Sequence, residues 1–209
     1  QAADNHSLND AAYYDVASQK WERLPSLPES RSSHDITVVN NKLYVIGGWA
    51  LEGKKEFWRN TVEVLDLDQS QPQWTSISQP FQRRALMSAS IDGKIYAIGG
   101  MNEKQKIAQN VSILDTTTRQ WSEGPALPSS NPISGFAPAI GVHKGKVYAS
   151  LADGQILRLN TGAQKWEKVT DVSPRVAHRL VSYQDSILLL GGAAKGKNLD
   201  LIEIVPDGE

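Results

Sequence analysis

Leu43-Tyr44-Val45-Ile46-Gly47-Gly48 reads as a short strand, apolar on both alternating faces, that stops at a glycine pair. A strand apolar on both faces belongs to a sheet covered on each side. The same phrase returns at Lys94 to Gly100 and at Ser186 to Gly192, and in altered form at Lys146 to Ala152, where the glycines are lost. Around it one full unit runs from Arg31 to Pro80. It holds Asp35 to Val39, a turn at Asn40-Asn41, Leu43 to Ile46, a polar loop after Gly48, Thr61 to Leu67, and Gln73 to Ile77 after a second turn. β-Branched and aromatic residues concentrate in these runs and no 3.6-residue periodicity appears, so the predicted class is all-β with four short strands per unit.

Trp21, Trp74, Trp121 and Trp166 recur at intervals of 53, 47 and 45 residues, which marks an internal repeat. Asp15, Asp68, Asp115 and Asn160 each stand six residues ahead of a tryptophan, with a polar turn between. The side-chain oxygens of Asp15, Asp115 and Asn160 are expected to cap these turns. The tryptophans are expected to pack between neighbouring sheets with the indole N–H on a backbone carbonyl. Leu24-Pro25, Leu27-Pro28 and Leu127-Pro128 end the outer strands and steer the chain back. Four-stranded sheets packed face to face around an axis make a β-propeller.

Arg31-Ser32-Ser33-His34, then Leu43 to Gly48, Val62-Glu63-Val64-Leu65-Asp66 and Gln73-Trp74 together resemble a kelch repeat, and residues 83–128 repeat the pattern with Asp115 and Trp121. The resemblance implies a propeller of four-stranded antiparallel kelch blades spanning 1–209 as one domain. A partial first blade covers 11–28, and repeats cover 31–80, 83–128, 132–173 and 174–205. Kelch relatives normally have six or seven blades, so about four blades imply an incomplete ring. The alternative is a closed four-bladed ring in which Lys20 to Leu24 serves as the outer strand of the last repeat. An incomplete ring would expose apolar blade faces and self-associate. The third repeat is expected to deviate most near Ser150 to Gly154.

Composition narrows function further. Twenty-two Lys and Arg against 23 Asp and Glu give a net charge of -1, without a global field for nucleic acid or an anionic membrane. The longest apolar run, Ile187 to Ala194, is too short to span a bilayer. Cysteine is absent, which removes disulfides, thiolate metal sites, cysteine nucleophiles and the copper–tyrosyl-cysteine chemistry of galactose oxidase, an enzyme of the wider kelch group. His6, His34, His143 and His178 lack zinc-site spacing, and P-loop, Rossmann and nucleophile-elbow signatures are missing. No catalytic residue, metal or cofactor is therefore assigned. Asn5-His6-Ser7 and Asn110-Val111-Ser112 match the glycosylation pattern, which arises often by chance. The polar start without an initiator Met suggests a processed or cropped chain; export is one reading, and the compartment stays open.

One register carries candidate site residues. Arg31 and Arg83 lie thirteen residues before Tyr44 and Tyr96, and Arg175 lies thirteen before Leu188. These positions open the innermost strands, which in a propeller face one channel mouth. Three guanidiniums there could hold carboxylates, and some animal kelch domains use such arginines for acidic peptides. A purely structural pairing of the arginines fits the sequence equally. His34 and His178 share a second register, with Leu86 and Pro138 at the corresponding sites; they join the candidate ligand-binding set with Trp49 and Asn102, with bonding to backbone as the alternative role of the histidines. Trp49, Met101 and Asn102 follow the glycine pairs in nearby loops. The expected function is non-enzymatic recognition of a protein, peptide or small acidic ligand. The alternative is a sugar-acid enzyme resembling kelch-type N-acetylneuraminate epimerases, which would need a general base beside an arginine. No acidic residue repeats in an inner-strand register, apart from Asp35 beside His34, which favours binding.

Overall fold

Short apolar strands alternate with turns that demand left-handed backbone, and that alternation sets the architecture. The computed structural model describes residues 5–206. The turns Asn40-Asn41, Asp92-Gly93 and Lys144-Gly145 all hold both residues at positive φ, the geometry of tight hairpins. Blade I (35–78) orders Asp35–Val39, Lys42–Ile46, Thr61–Asp66 and Trp74–Ser78. Blade II (87–124) orders Met87–Ile91, Lys94–Ile98, Val111–Asp115 and Trp121–Gly124. Blade III (139–171) orders Ala139–His143, Lys146–Ser150, Gln155–Asn160 and Lys165–Asp171. Each is antiparallel throughout, and no helix occurs among the described residues. The inner strands start at Asp35, Met87 and Ala139, a few residues beyond Arg31, Arg83 and Pro132.

Blade IV (179–206) has only Arg179–Tyr183, Ser186–Leu190 and Ile202–Pro206. In the first unit, Lys20–Leu24 pairs with Ala11–Asp15 in a hairpin closed by the short turn after Asp15.

The chain divides into two compact units, Gln1–Arg84 and Ala85–Glu209, with the boundary in the segment between blades I and II. In the second unit, Ile140, Val147 and Leu157 of blade III share one buried cluster with Tyr96, Ile98 and Ile113 of blade II. Tyr148 and Ile156 on the other face of blade III share another with Leu180, Ile187 and Leu189 of blade IV. Blades therefore stack face to face, each apolar side chain sealing its neighbour.

The tryptophan expectation holds at two positions and fails at one. Trp74 Nε1 donates to the Pro25 carbonyl at 2.7 Å and Trp166 Nε1 to the Pro125 carbonyl at 2.8 Å. Each acceptor lies four residues after the preceding tryptophan. Trp21 has no such segment ahead of it among the described residues; it is 72% exposed and touches the Tyr14 ring, with centroids 5.5 Å apart. Turn capping follows the expectation: Asp15 Oδ1 accepts from Ala17 N at 2.8 Å, Asp115 Oδ1 from Thr118 N at 2.9 Å, and Asn160 Oδ1 from Ala163 N at 2.9 Å. In the third repeat the glycine pair is replaced by a turn in which Gly154 N donates to Leu151 O, and the next strand pair carries a register shift at Ile156/Leu157.

Candidate recognition site

Arg31 enters blade I where the innermost strand begins, and its guanidinium faces inward. Nη1 donates to Gly47 O at 3.0 Å and Thr61 O at 2.8 Å, and Nη2 to Thr61 Oγ1 at 3.1 Å and Glu63 Oε1 at 3.0 Å. Glu63 also accepts from Thr61 Oγ1 at 2.6 Å and Ser76 Oγ at 2.5 Å. Burial lowers the Arg31 pKa, and the Glu63 carboxylate opposes that shift. Arg175 repeats the arrangement in blade IV. Its Nη2 donates to Glu203 Oε2, its Nε to Ser173 O at 3.2 Å and its Nη1 to Gly191 O at 3.5 Å.

The two acids occupy one register: Glu63 faces Val45 and Glu203 faces Leu189, each one residue past the Tyr44 position. Sequence reading missed this pair. Glu63 follows Arg31 by 32 residues and Glu203 follows Arg175 by 28, because the loops between second and third strands differ in length. Aligning third strands on their tryptophan or on the Asp66 end, rather than counting from the arginine, is the signal that would have found Glu63. Blade II places Ser112 at this position, and blade III has Gly135 and Leu157 at the two sites. The contact expected from a ligand carboxylate is thus made by Glu63 and Glu203. Arg83 is also buried, with its guanidinium 3.9 Å from the Phe81 ring centroid; burial pushes its pKa down to about 10.

His34 and His178 are both held neutral. Burial first, and then Arg31 beside one and Arg175 and Arg179 beside the other, push each imidazole down to about 4. His178 Nε2 lies 2.7 Å from Ser150 Oγ, a side-chain partner in the preceding blade rather than backbone. Their backbone entrance is tight. A Cβ on Gly48 would stand 2.7 Å from Ser32 O and 2.9 Å from His34 Cβ, and one on Gly192 would meet Val176 O and His178 Cβ at the same two distances. Glycine is required there by close approach as well as by φ.

The loop after Gly48 is a hairpin of Trp49–Glu52 and Lys55–Trp58. Trp49 is half-buried and lies 5.5 Å from the Trp58 ring, and the Arg84 guanidinium sits 4.4 Å from its centroid. Cation and indole are thereby stacked on a backbone pinned by Ser32 N to Trp49 O at 2.7 Å. Arg84 and Trp58 are further residues that the repeat register did not single out. In the second unit, Asn102 Oδ1 accepts from Lys104 N at 3.0 Å and Lys106 N at 3.1 Å, so its carboxamide holds its own turn.

The profile of the KLHDC2/KLHL20/DRC7 Kelch-repeats domain matches residues 1–150. The chain belongs to the kelch-repeat family. Its blades are kelch blades, and the fold is a kelch β-propeller. Among similar kelch proteins, human Kelch repeat and BTB domain-containing protein 12 is 30% identical, over 68% of this chain and 23% of its own length. Beta-scruin of Limulus polyphemus is 23% identical, over 89% of this chain and 21% of its own length. The chain thus spans under a quarter of each of these two relatives. The solved structure of YjhT superposes with a TM-score of 0.73 at 19% identity, covering 88% of this chain and 65% of that one, which bears on fold alone.

Proposed function

We propose that this kelch chain is a non-enzymatic recognition module that takes an acidic protein segment or peptide on the hairpin following Gly48. The observation that carries this reading is the Arg84 guanidinium over the Trp49 ring, 4.4 Å from its centroid, with the tilted Trp58 ring 5.5 Å from Trp49 and Lys54 and Lys55 exposed at the hairpin tip. A rigid indole beside guanidinium and ammonium groups supplies apolar area and charge to one extended acidic ligand. Arg31 and Arg175 then serve from within, holding the strand entrances that carry the loops. The sugar-acid epimerase reading needs a carboxylate free to take a proton beside an arginine. Glu63 is buried and accepts from three donors, Arg31, Thr61 and Ser76, which supports binding over proton abstraction.

Selection of a displayed random-peptide library on the immobilised chain tests this. Acidic sequences should be enriched, and Arg84→Ala or Trp49→Ala should abolish the enrichment while leaving the melting temperature within a few degrees. No enrichment, or enrichment indifferent to both changes, would sink the proposal.

A further inference from the structure

We propose that the groove between blades II and III is a second recognition site, one that takes the guanidinium group of an arginine side chain or of a small guanidine ligand. It lies wholly within the second unit and shares no residue with the hairpin after Gly48, so it does not rest on the reading of that hairpin.

Blade III shows the arrangement filled by the chain itself. Arg158 stands opposite Tyr148 in one neighbouring strand and opposite Glu167 in the other. Its Nη2 donates to Glu167 Oε2 at 3.3 Å, and the Tyr148 hydroxyl is a further partner of the guanidinium. Asn160 Nδ2 donates to the second oxygen of Glu167 at 2.9 Å. Phenol, cation and carboxylate thus close on one another.

Blade II keeps this register and leaves out the cation. Tyr96 stands opposite Ile113 and Ile113 opposite Ser122, so an isoleucine and a serine hold the Arg158 and Glu167 positions. A hollow of about 370 Å³ lies there, lined in part by Tyr96, Ile113 and Ser122. Tyr96 is only 6% exposed, and its hydroxyl makes no hydrogen bond among the described residues. A buried hydroxyl without a partner is costly, and a ligand that bonds it recovers that cost. Burial first, and then the Asp92 charge, raise the Tyr96 pKa, so the group meets the hollow as a neutral phenol that can both accept and donate.

Charge selects the occupant. Asp92, Lys94 and Glu123 also line the hollow. Lys94 stands opposite Asp115, the register in which Lys42 and Asp66 form an ion pair in blade I. Asp92 and Glu123 make no ion pair among the described residues, which leaves two carboxylates for a cation. Guanidinium fits better than ammonium because its planar fork reaches a phenol and a carboxylate together, as Arg158 does, and its weak hydration suits a site walled by Ile113. Both walls are fixed in advance. Thr116 N and Oγ1 donate to Gly93 O at 3.0 and 2.6 Å, pinning the Asp92-Gly93 turn. Across the groove, Asn160 Oδ1 holds Ala163 N at 2.9 Å in the turn that brings Gly162 and Gln164 to the hollow.

Backbone amide shifts in isotope-labelled protein test the site directly. Agmatine and the tripeptide acetyl-Gly-Arg-Gly-amide are the probes, with acetyl-Gly-Lys-Gly-amide as the ammonium comparison. Both guanidinium probes should move the Gly93, Ser122 and Gly162 amides saturably, and the lysine peptide should bind more weakly. Equal affinity for the two guanidinium probes assigns a free small ligand; tighter binding of the arginine peptide assigns an arginine on a partner segment. Tyr96→Phe and Asp92→Asn should each weaken binding about tenfold, and asparagine keeps the left-handed turn that Asp92 occupies. Ile113→Arg with Ser122→Glu rebuilds the blade III pair, fills the hollow from within and should abolish the shifts. Circular dichroism checks the strand signal of that double variant, and the two single variants decide the matter if it is lost. No saturable shift at these amides, a lysine peptide that binds as well as the arginine peptide, or wild-type affinity in both Tyr96→Phe and Asp92→Asn overturns the proposal.

Discussion

Arg31 donates to Glu63 across 3.0 Å with side chains 0% and 2% exposed, which makes the pair an interior tie between the entrance of the first strand and the third strand of blade I. Such a pair is retained at the cost of desolvating both charges, and removing one member leaves the other stranded. Glu63→Ala should therefore destabilise the first unit by about 3–5 kcal/mol. The double replacement Arg31→Met with Glu63→Leu should cost less than Glu63→Ala alone, since no buried charge remains. Urea unfolding of the three variants checks both statements, and a Glu63→Ala cost no larger than that of a surface change would contradict them.

The histidines predict a pH dependence with a definite sign. In the unfolded chain they take a proton near 6.5, whereas His34 and His178 in the folded protein resist it down to about 4. Stability from this source is complete above pH 6.5, declines as the pH falls, and is gone once the pH passes below 4. The loss should be on the order of 3 kcal/mol per histidine. Melting temperature measured between pH 7 and 4 should fall more steeply for the wild type than for His34→Asn/His178→Asn. Parallel curves would show that these imidazoles already titrate normally in the fold.

Backbone geometry at the strand entrances predicts two substitutions of opposite sign. Gly48→Ala places a Cβ against Ser32 O and His34 Cβ at φ +89, and should cost more than about 2 kcal/mol. Ser33, Ala85, Ala137 and Ala177 share one register, eleven residues before the Tyr44 position, and all have positive φ, from 45 to 54. Ala137→Gly relieves that left-handed strain and should raise stability by up to about 1 kcal/mol. Thermal melting separates the two, and a gain from Gly48→Ala or a clear loss from Ala137→Gly would refute the strain argument.

Much of this protein was legible in local sequence. Strand content, tight turns, glycine pairs and the Asp15 and Asp115 caps are decided within a few residues by dihedral preference and side-chain reach, so a single chain pass finds them. The repeat added the blade register because Trp74, Trp121 and Trp166 recur at nearly constant spacing. The same spacing misplaced Trp21: packing needs a Pro25-like segment from the blade before, and that requirement lies outside the residues around the tryptophan.

By itself, then, the sequence determined an all-β kelch repeat with Arg31, Arg83 and Arg175 at equivalent strand entrances. Only the tertiary structure decided what these arginines do. Glu63 and Glu203 reach Arg31 and Arg175 from a third strand, across loops of unequal length, so no fixed interval in the chain announces the contact. Burial made these two cations internal ties, because a desolvated guanidinium is stable only against a carboxylate or carbonyls already held in place. Likewise, Arg84 lies over Trp49 through the meeting of a hairpin and a distant strand entrance, a proximity set by packing rather than by any residue pattern.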